Sequence, residues 1–368
     1  KVNCIPGLNK EIKDYNQAIK ISNDIGFPVM IKASAGGGGK GMRVAYKKND
    51  LKELLKAAKS EAKNAFGDDR IFIEKYIENP RHIEIQILGD KFGNIISLGE
   101  RECSIQRRHQ KIIEEAPSAF LNEKVRKSMG EQAVRLAKAV NYYSAGTVEF
   151  VVDKNKNFYF LEMNTRLQVE HPVTEEITGI DLVKEMINVA EKKKLSLSEK
   201  SIKKNGWAVE ARLCSEDPIK NFLPSAGKIN RMDFPKNIRI DSGYKEGNIV
   251  SIYYDSLLAK VISKGKNRNE AIQKIIQGLE EVNIQGIQTN QDFLINILQT
   301  KEFYEAKIDT NFISSYYKEG FKGKTTDLNK LEIMAITALS NHLKYLKEVN
   351  SDFNKISKKW ILVFDKNK

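Results

Sequence analysis

Apolar residues recur at helical spacing near the start of the chain. Ile12, Tyr15 and Ile19 share one face of a helix predicted over 9–26, which Gly26 and Pro28 close. Val29–Ala33 reads as a short strand that runs into Ala35-Gly36-Gly37-Gly38-Gly39-Lys40-Gly41. Asp50 is the expected cap of a second helix, and Glu53 completes a capping-box-like pair. Leu51, Leu54, Leu55 and Ala58 form its buried face, and Gly67 ends it. A further strand is predicted over 71–77. These elements make a small βαβ-like module.

The period then changes to two. Ile83, Ile85 and Ile87 alternate with polar residues, Gly89 and Gly93 bracket a turn, and Ile95 and Leu98 continue the pattern. This predicts a hairpin over 82–100. A helix is predicted over 123–140. Strands over 147–152 and 158–163 form a second hairpin around Lys154-Asn155-Lys156-Asn157, and 181–192 returns to helix. Beyond Trp207, short strands precede a helix over 269–282 and a turn at Gly286. After 318 the chain turns polar, then an amphipathic helix over 327–349 carries Leu331, Ala335, Leu339 and Leu343 on one face. No segment repeats another. The Lys-rich stretch 192–205 reads as a domain boundary, and the expected division is 1–78, 79–200, 201–318 and 319–368.

A chain of 368 residues, 41% hydrophobic and 30% charged, is globular and long enough for more than one core. No run approaches the roughly eighteen apolar residues of a membrane span. Segment 1–6 begins with Lys1 and lacks the features of a signal peptide, so the natural start is expected upstream. Cys4, Cys103 and Cys214 lie far apart and make no CxxC. That fits a reducing compartment, with neither a disulfide framework nor a zinc site. The net charge of +13 is spread along the chain without a basic-aromatic module. It describes a solvated surface, not a nucleic-acid interface, though its field favours anionic small molecules such as nucleotides and bicarbonate.

Three stretches carry candidate chemistry. Consecutive glycines let backbone N–H groups close around a phosphate chain, as a lid at a hairpin tip. Met42 stands where a Walker A loop has Ser or Thr. In the second hairpin, a four-residue turn over 154–157 sets Asp153 against Phe158 and puts Glu149 opposite Glu162, with Asn164 on the same face. Apolar neighbours Phe150, Phe158, Phe160 and Leu161 predict burial of both carboxylates. A divalent cation resolves their repulsion, and two carboxylates with an amide oxygen suit Mg²⁺ or Mn²⁺. The polar stretch 162–174 that follows reads as an active-site loop. There Arg166 can hold a planar oxyanion, and Glu170 or His171 can act as a base. Finally, Arg101, Arg107, Arg108, His109, Gln110 and Lys111 read either as a phosphate and ribose clamp or as a surface charge run.

Lys32-Ala33-Ser34-Ala35-Gly36-Gly37-Gly38-Gly39-Lys40-Gly41-Met42-Arg43-Val44 resembles the ATP-grasp lid loop of biotin carboxylases. Glu74-Lys75-Tyr76, Asn79-Pro80-Arg81-His82-Ile83-Glu84, Gln106-Arg107-Arg108-His109-Gln110-Lys111 and the stretch 162–174 are similar to that family's signatures, in its order. Glu210-Ala211-Arg212, Glu216-Asp217-Pro218, Phe222-Leu223-Pro224 and Tyr254-Asp255-Ser256 resemble its C-terminal subdomain. The resemblance covers roughly 1–318 and implies an α+β fold. That fold is an ATP-grasp with a small α/β lid over an antiparallel-sheet core, then the family's C-terminal subdomain. The family's opening domain and a further ATP-contacting lysine are expected to be absent. Thr310-Asn311-Phe312 and Glu319-Gly320-Phe321-Lys322-Gly323 resemble the alpha subunits of acyl-CoA carboxylases, the propionyl-CoA type foremost. Acetyl-CoA and methylcrotonyl-CoA types stay open, and 319–368 would begin a linking domain.

The resemblance implies the following roles. Lys32 and the lid glycines Gly37, Gly38 and Gly39 would cover ATP phosphates. Glu74, Lys75 and Ile77 would form the adenine hinge, and His82, Gln106 and His109 would lie towards the ribose. Lys111 would approach the transferred phosphate. Glu149, Glu162 and Asn164 would hold magnesium or manganese, two ions in all. Arg166, Gln168, Val169 and Glu170 would bind bicarbonate, with Glu170 as base, and Arg212 would face biotin. Implied partners are a biotin carrier domain, a carboxyltransferase subunit and further copies in an oligomer, in a bacterial cytoplasm or a mitochondrial matrix. Two other readings are an idle scaffold and a carbamoyl phosphate synthetase, which would show two homologous halves.

Overall fold

The computed structural model describes residues 2–8, 10–35, 41–198, 201–323 and 328–349, with backbone alone for 328–331 and 344–349. The chain forms two compact units, Lys1–Phe321 and Lys322–Lys368.

The larger unit begins with a four-stranded sheet. It contains β1 (Gly7–Leu8), β2 (Val29–Ala33), β3 (Met42–Ala45) and β4 (Ile71–Lys75), in the order β1-β4-β2-β3. Helices α1 (Tyr15–Ile25) and α2 (Leu51–Phe66) bury Ala18, Leu51, Leu55 and Ala58 against Val29, Ile31, Ile71 and Ile73. Helix α1 starts later than predicted because Asp14 caps it, accepting from the N–H of Gln17. Ile12 is buried all the same, in extended chain bonded to Ile71. Asp50 precedes α2 without a side-chain capping bond, since a 3-10 turn over Lys48–Asp50 already leads into the helix. The expected capping box is therefore not formed. Of the glycine loop, 36–40 lie outside the described residues. Its base is closed by a bond from Ala33 N–H to Gly41 O.

Eight strands form the main sheet. Six are β5 (Arg81–Gly89), β6 (Ile95–Arg107), β7 (Gln110–Ala116), β8 (Ser144–Val152), β9 (Phe158–Asn164) and β10 (Trp207–Cys214). The others are Arg239–Ser242 and Leu257–Gly265. The order is Arg239–Ser242, Leu257–Gly265, β10, β7, β6, β5, β8, β9, antiparallel throughout. The sheet crosses the expected boundary at 192–205. The free edge of β7 is completed by β10, with Ala208 paired to Ala116, so segments 79–200 and 201–318 share one sheet.

One face packs on helices. Ile83, Ile85, Val148, Phe150 and Val152 meet Met129, Ala133 and Ala137 of α3 (Glu123–Ala139). Val209, Ala211 and Leu213 belong to the core that includes Ile272 and Ile275 of a helix at Arg268–Glu281. Each fully buried Val, Leu, Ile, Phe or Met side chain among them contributes about 1.5–3 kcal/mol. The alternation of 82–100 predicts one wet face, yet every residue of β5 is buried. Helix α4 (His171–Thr178) lies over β6, β7 and β10 on the other side. Residues 162–164 and 171–174, read as parts of one loop, are strand and helix, so the loop proper is 165–170. Pro172 sits in the first turn of α4, where its missing N–H costs nothing.

In the smaller unit a helix spans Leu328–Val349, with Ala335, Leu339 and Leu343 exposed. The side chain of Leu331 lies outside the described residues. No helix among the described residues is long and apolar enough to cross a membrane.

Candidate active site

Register places four charged residues in one row across four strands. Glu162 pairs with Glu149, Glu149 with Glu84, and Glu84 with Arg101. The first pairing arises differently from the count outward from a four-residue turn. Val152, not Asp153, faces Phe158, which by itself would misalign the glutamates. Asp153 instead closes the loop, accepting from the N–H groups of Asn155 and Asn157, with Lys156 at φ 67°. A β-bulge at Leu161 then restores the offset.

Strand β9 is the sheet's edge, so Glu149 is buried whereas Glu162 is exposed. Burial of both, as the apolar neighbours suggested, is not found, and Leu161 is itself 40% exposed. Asn164 Nδ2 lies 3.1 Å from Glu149 Oε1 and 3.4 Å from Glu162 Oε1. A donor thus stands between two carboxylates, the place a cation would take. With the amide ends exchanged, the donor set is all hard oxygen, which suits magnesium or manganese.

Arg101 is fully buried, and each of its five N–H groups has an acceptor. Nε donates to Glu84 at 2.5 Å. The two terminal nitrogens reach Gln86 and Thr174 (3.1 Å), and Thr147 and Gln168 (each 3.0 Å). Lys111 lies 2.5 Å from Glu84, 3.0 Å from Glu149 and 2.6 Å from Glu170. Glu170 in turn receives Arg212 at 2.9 Å, and Arg212 Nε donates to Glu114 at 2.6 Å. His82 Nε2 approaches Glu149 to 2.8 Å.

These neighbours set the charge states. Burial alone would raise Glu84, but Arg101 and Lys111 overcome it and hold the carboxyl at about 2. Glu149 is likewise held low against burial by His82 and Lys111. Burial would lower Lys111 and Arg212, but the surrounding glutamates push both up. Burial pushes Glu114 up to about 7 despite Arg212.

The other candidates are placed as follows. Arg166 is exposed, its guanidinium 3.3 Å from Leu167 O, and the cations on Glu170 are Lys111 and Arg212 instead. Gln168 is buried and spans Glu149 (2.6 Å) and Arg101 (3.0 Å), while Val169 O accepts from Lys260 at 3.0 Å. Lys32 pairs with Glu74. Lys75 and Ile77 line a cavity of about 570 Å³, and Lys75 Nζ donates to Gly26 O and Phe27 O. Gln106 and His109 line another of about 410 Å³, with His109 in a two-residue turn of positive φ. The cation run 101–111 does not form a single clamp. Arg101 points into the core of the site, while Arg107 pairs with Glu216 at 2.7 Å and covers Phe222. Gly37, Gly38 and Gly39 lie outside the described residues.

Glu84, Glu114, Glu210 and Lys260 receive no role from sequence, and Arg101 is placed only within the cation run 101–111. Their signal was a charge within strands otherwise rich in Ile, Val and Ala. That pattern reads as a wet face until a covering layer is known.

Two family models match the chain: "Carbamoyl-phosphate synthase L chain, ATP binding domain" over 1–198 and "Biotin carboxylase C-terminal domain" over 210–315. The propionyl-CoA carboxylase alpha chain of Sus scrofa, a mitochondrial protein, is 53% identical over 92% of this chain and 47% of its own length. This chain thus spans about half of that relative. Biotin carboxylase 1 of Bacillus subtilis is 48% identical, over 86% of this chain and 71% of its own. The biotin carboxylase domain of the 2-oxoglutarate carboxylase of Hydrogenobacter thermophilus, solved with MgADP, ADP and bicarbonate, is 45% identical. It aligns with a TM-score of 0.78 over 86% of this chain and 70% of that one.

Proposed function

The chain belongs to the biotin carboxylase family of ATP-grasp enzymes, and from that premise we propose that its site carboxylates biotin with bicarbonate at the expense of ATP. The observation that carries this reading is Glu170. It is a buried carboxylate held between Lys111 and Arg212, and Lys111 also reaches Glu149 of the carboxylate pair suited to a metal.

Bicarbonate would be held by Arg166, Gln168 and Val169 and give its proton to Glu170 as its oxygen attacks the γ-phosphate of ATP. Carboxyphosphate and ADP result. Carboxyphosphate then yields CO₂ and phosphate, the phosphate takes the N1′ proton of biotin, and N1′ captures CO₂. Arg212 would offset the charge growing on the ureido oxygen. Protonated Glu170 holds Arg212 less tightly, which links proton removal from bicarbonate to the arginine's availability for biotin. Glu149, Glu162 and Asn164 would hold one or two magnesium or manganese ions, whose charge offsets that of the triphosphate. Lys32 would grip phosphate once drawn from Glu74. The cavity at Lys75 and Ile77 would take adenine. His82, Gln106 and His109 would serve the ribose side, and the lid glycines would keep water from carboxyphosphate.

Biotin would arrive on a carrier domain, and a carboxyltransferase subunit would pass the carboxyl group to an acyl-CoA. Identity of 48–53% to propionyl-CoA carboxylase alpha chains and to Biotin carboxylase 1 favours propionyl-CoA for the complex, the former being the more similar. The deciding experiment is ATP hydrolysis by the full-length protein. Dependence on both bicarbonate and free biotin is expected. No hydrolysis would leave the scaffold reading, and hydrolysis indifferent to both would overturn biotin carboxylation.

A further inference from the structure

Two carboxyls behind Arg212 have no place in the chemistry above. Glu114 on β7 and Glu210 on β10 are direct cross-strand partners, and both are fully buried. Along β10, Val209, Ala211 and Leu213 face the helical core, while Ala208 packs with Val173 and Ile177 of α4. Glu210 and Arg212 share the side of Ala208. Arg212 engages only Oε1 of Glu114. Oε2 of Glu114 and both carboxyl oxygens of Glu210 meet no hydrogen-bond donor.

Three orphaned acceptors on two adjacent buried carboxyls cannot belong to two anions. Directly opposed residues have Cβ atoms about 4.5–5.5 Å apart, so two charges there repel strongly in a dry site. Each orphaned oxygen also bears its full desolvation cost. One added proton removes the repulsion and pairs two of the three oxygens, because a neutral carboxyl donates to the free oxygen of its neighbour.

We propose that Glu114 and Glu210 share a single proton and together act as a monoanionic seat that positions Arg212 between itself and Glu170. The proposal rests on the reading that Arg212 works on biotin. Burial agrees with it, raising Glu210 well above the usual carboxylate range and Glu114 to about 7. The charged groups facing the pair are Arg212 on β10, Lys111 on β7, Lys260 on Leu257–Gly265 and Glu170 from the loop. From α4 above, His171 stands 3.5 Å from Lys260 and 3.1 Å from Glu175, and Lys260 also meets Asp241 at 3.2 Å. With the proton in place, Arg212 has one negative charge on either side. Loss of the proton doubles the charge on the β7–β10 side and draws the guanidinium away from Glu170 and from substrate.

The test is infrared spectroscopy of the full-length protein at about neutral pH, compared with Glu210→Gln. The parent should show the carbonyl-stretch band of a protonated buried carboxyl, and the variant should lack it. Identical spectra overturn the proposal. Kinetics supply a second readout. Glu210→Gln keeps a donor towards Glu114 and cannot ionise, so its KM for biotin should hold while the alkaline rise of that KM disappears. Glu210→Leu removes the donor and should raise the KM for biotin about tenfold, the scale of one buried hydrogen bond, with bicarbonate affinity unchanged. If Glu210→Gln keeps the parent's alkaline profile, the shared proton does not govern Arg212. A parent without biotin-dependent ATP cleavage sinks the functional reading, and the infrared band still decides the proton.

Discussion

Glu84 and Arg101 face each other across β5 and β6 where no water reaches, joined by a 2.5 Å bond from the guanidinium Nε. Lysine in place of Arg101 would keep the charge but not the fork. Acceptors on Thr147, Gln168 and Thr174 would lose their donors. Arg101→Lys should therefore cost on the order of 3 kcal/mol of unfolding free energy, read by urea denaturation. An unchanged midpoint with an unchanged slope would refute the buried network.

The same carboxylate sets an acid limb. Glu84 titrates at about 2 in the folded chain, below its ordinary 4.5. For an acid with a depressed folded value, the stabilisation is complete above the unfolded value and fades as pH falls through the folded one. It should thus be lost between about pH 4.5 and 2, and amount to roughly 3 kcal/mol. Glu84→Gln should flatten that part of the curve of stability against pH. An equally steep curve in the variant would mean Glu84 is not the group responsible.

Exposure separates the two metal candidates. Glu162 lies at the sheet's edge with one contact to Asn164, so Glu162→Gln should weaken Mn²⁺ binding and leave thermal stability nearly intact. Glu149 also holds Lys111, Gln168 and His82, so Glu149→Gln should lose both. Titration of Mn²⁺ by electron paramagnetic resonance, alongside calorimetric melting, distinguishes them. Equal melting losses would contradict the edge position.

Local pattern was enough for most elements. Periodicity predicted both hairpins, though one strand runs on to Arg107 and another starts at Ser144, and it predicted the helix at Glu123–Ala139 to within a residue, because their apolar faces meet layers contributed nearby. The family resemblance brought in Lys111, Glu170 and Arg212 by position. What stayed hidden depends on distant chain. That β10 completes the edge of β7, and that α4 roofs the polar side of β6, β7 and β10, cannot be seen from either segment alone. Hence Glu84 drew no role, Arg101 stayed open between a clamp and a surface charge run, and Arg166 looked like the natural neighbour of Glu170. The pairing of Glu149 with Glu162 was reached by a count that missed two compensating features, a longer loop and a bulge at Leu161.

The lid can be probed at its base. Gly41 has φ +71°, and a Cβ there would come within 2.7 Å of Ala33 Cβ. Gly41→Ala should distort the closing bond between Ala33 and Gly41 and raise the KM for ATP, about tenfold if the strain is one to two kcal/mol. Binding of a fluorescent ATP analogue would measure it. Unaltered affinity would show that the loop's base does not set the nucleotide grip.

Arg166 and Glu170 should do separable work. Arg166 is exposed and makes one weak contact to its own loop, so its guanidinium is free to take a planar anion in two parallel bonds. Arg166→Lys keeps the charge and loses the fork. It should chiefly weaken bicarbonate affinity and leave the melting temperature alone. Glu170 is buried and bound by two cations. Glu170→Gln cannot accept a proton and removes one negative charge from between Lys111 and Arg212, so turnover should drop by roughly a hundredfold or more. Some stability should go with it, because the two cations are left facing each other. Bicarbonate-dependent ATP cleavage, fitted for both kcat and KM, separates the roles. If Glu170→Gln turns over normally, the proton has another acceptor. His171 is then the next group to test, since it stands beside Glu170 in sequence and faces Lys260 and Glu175 at the start of α4.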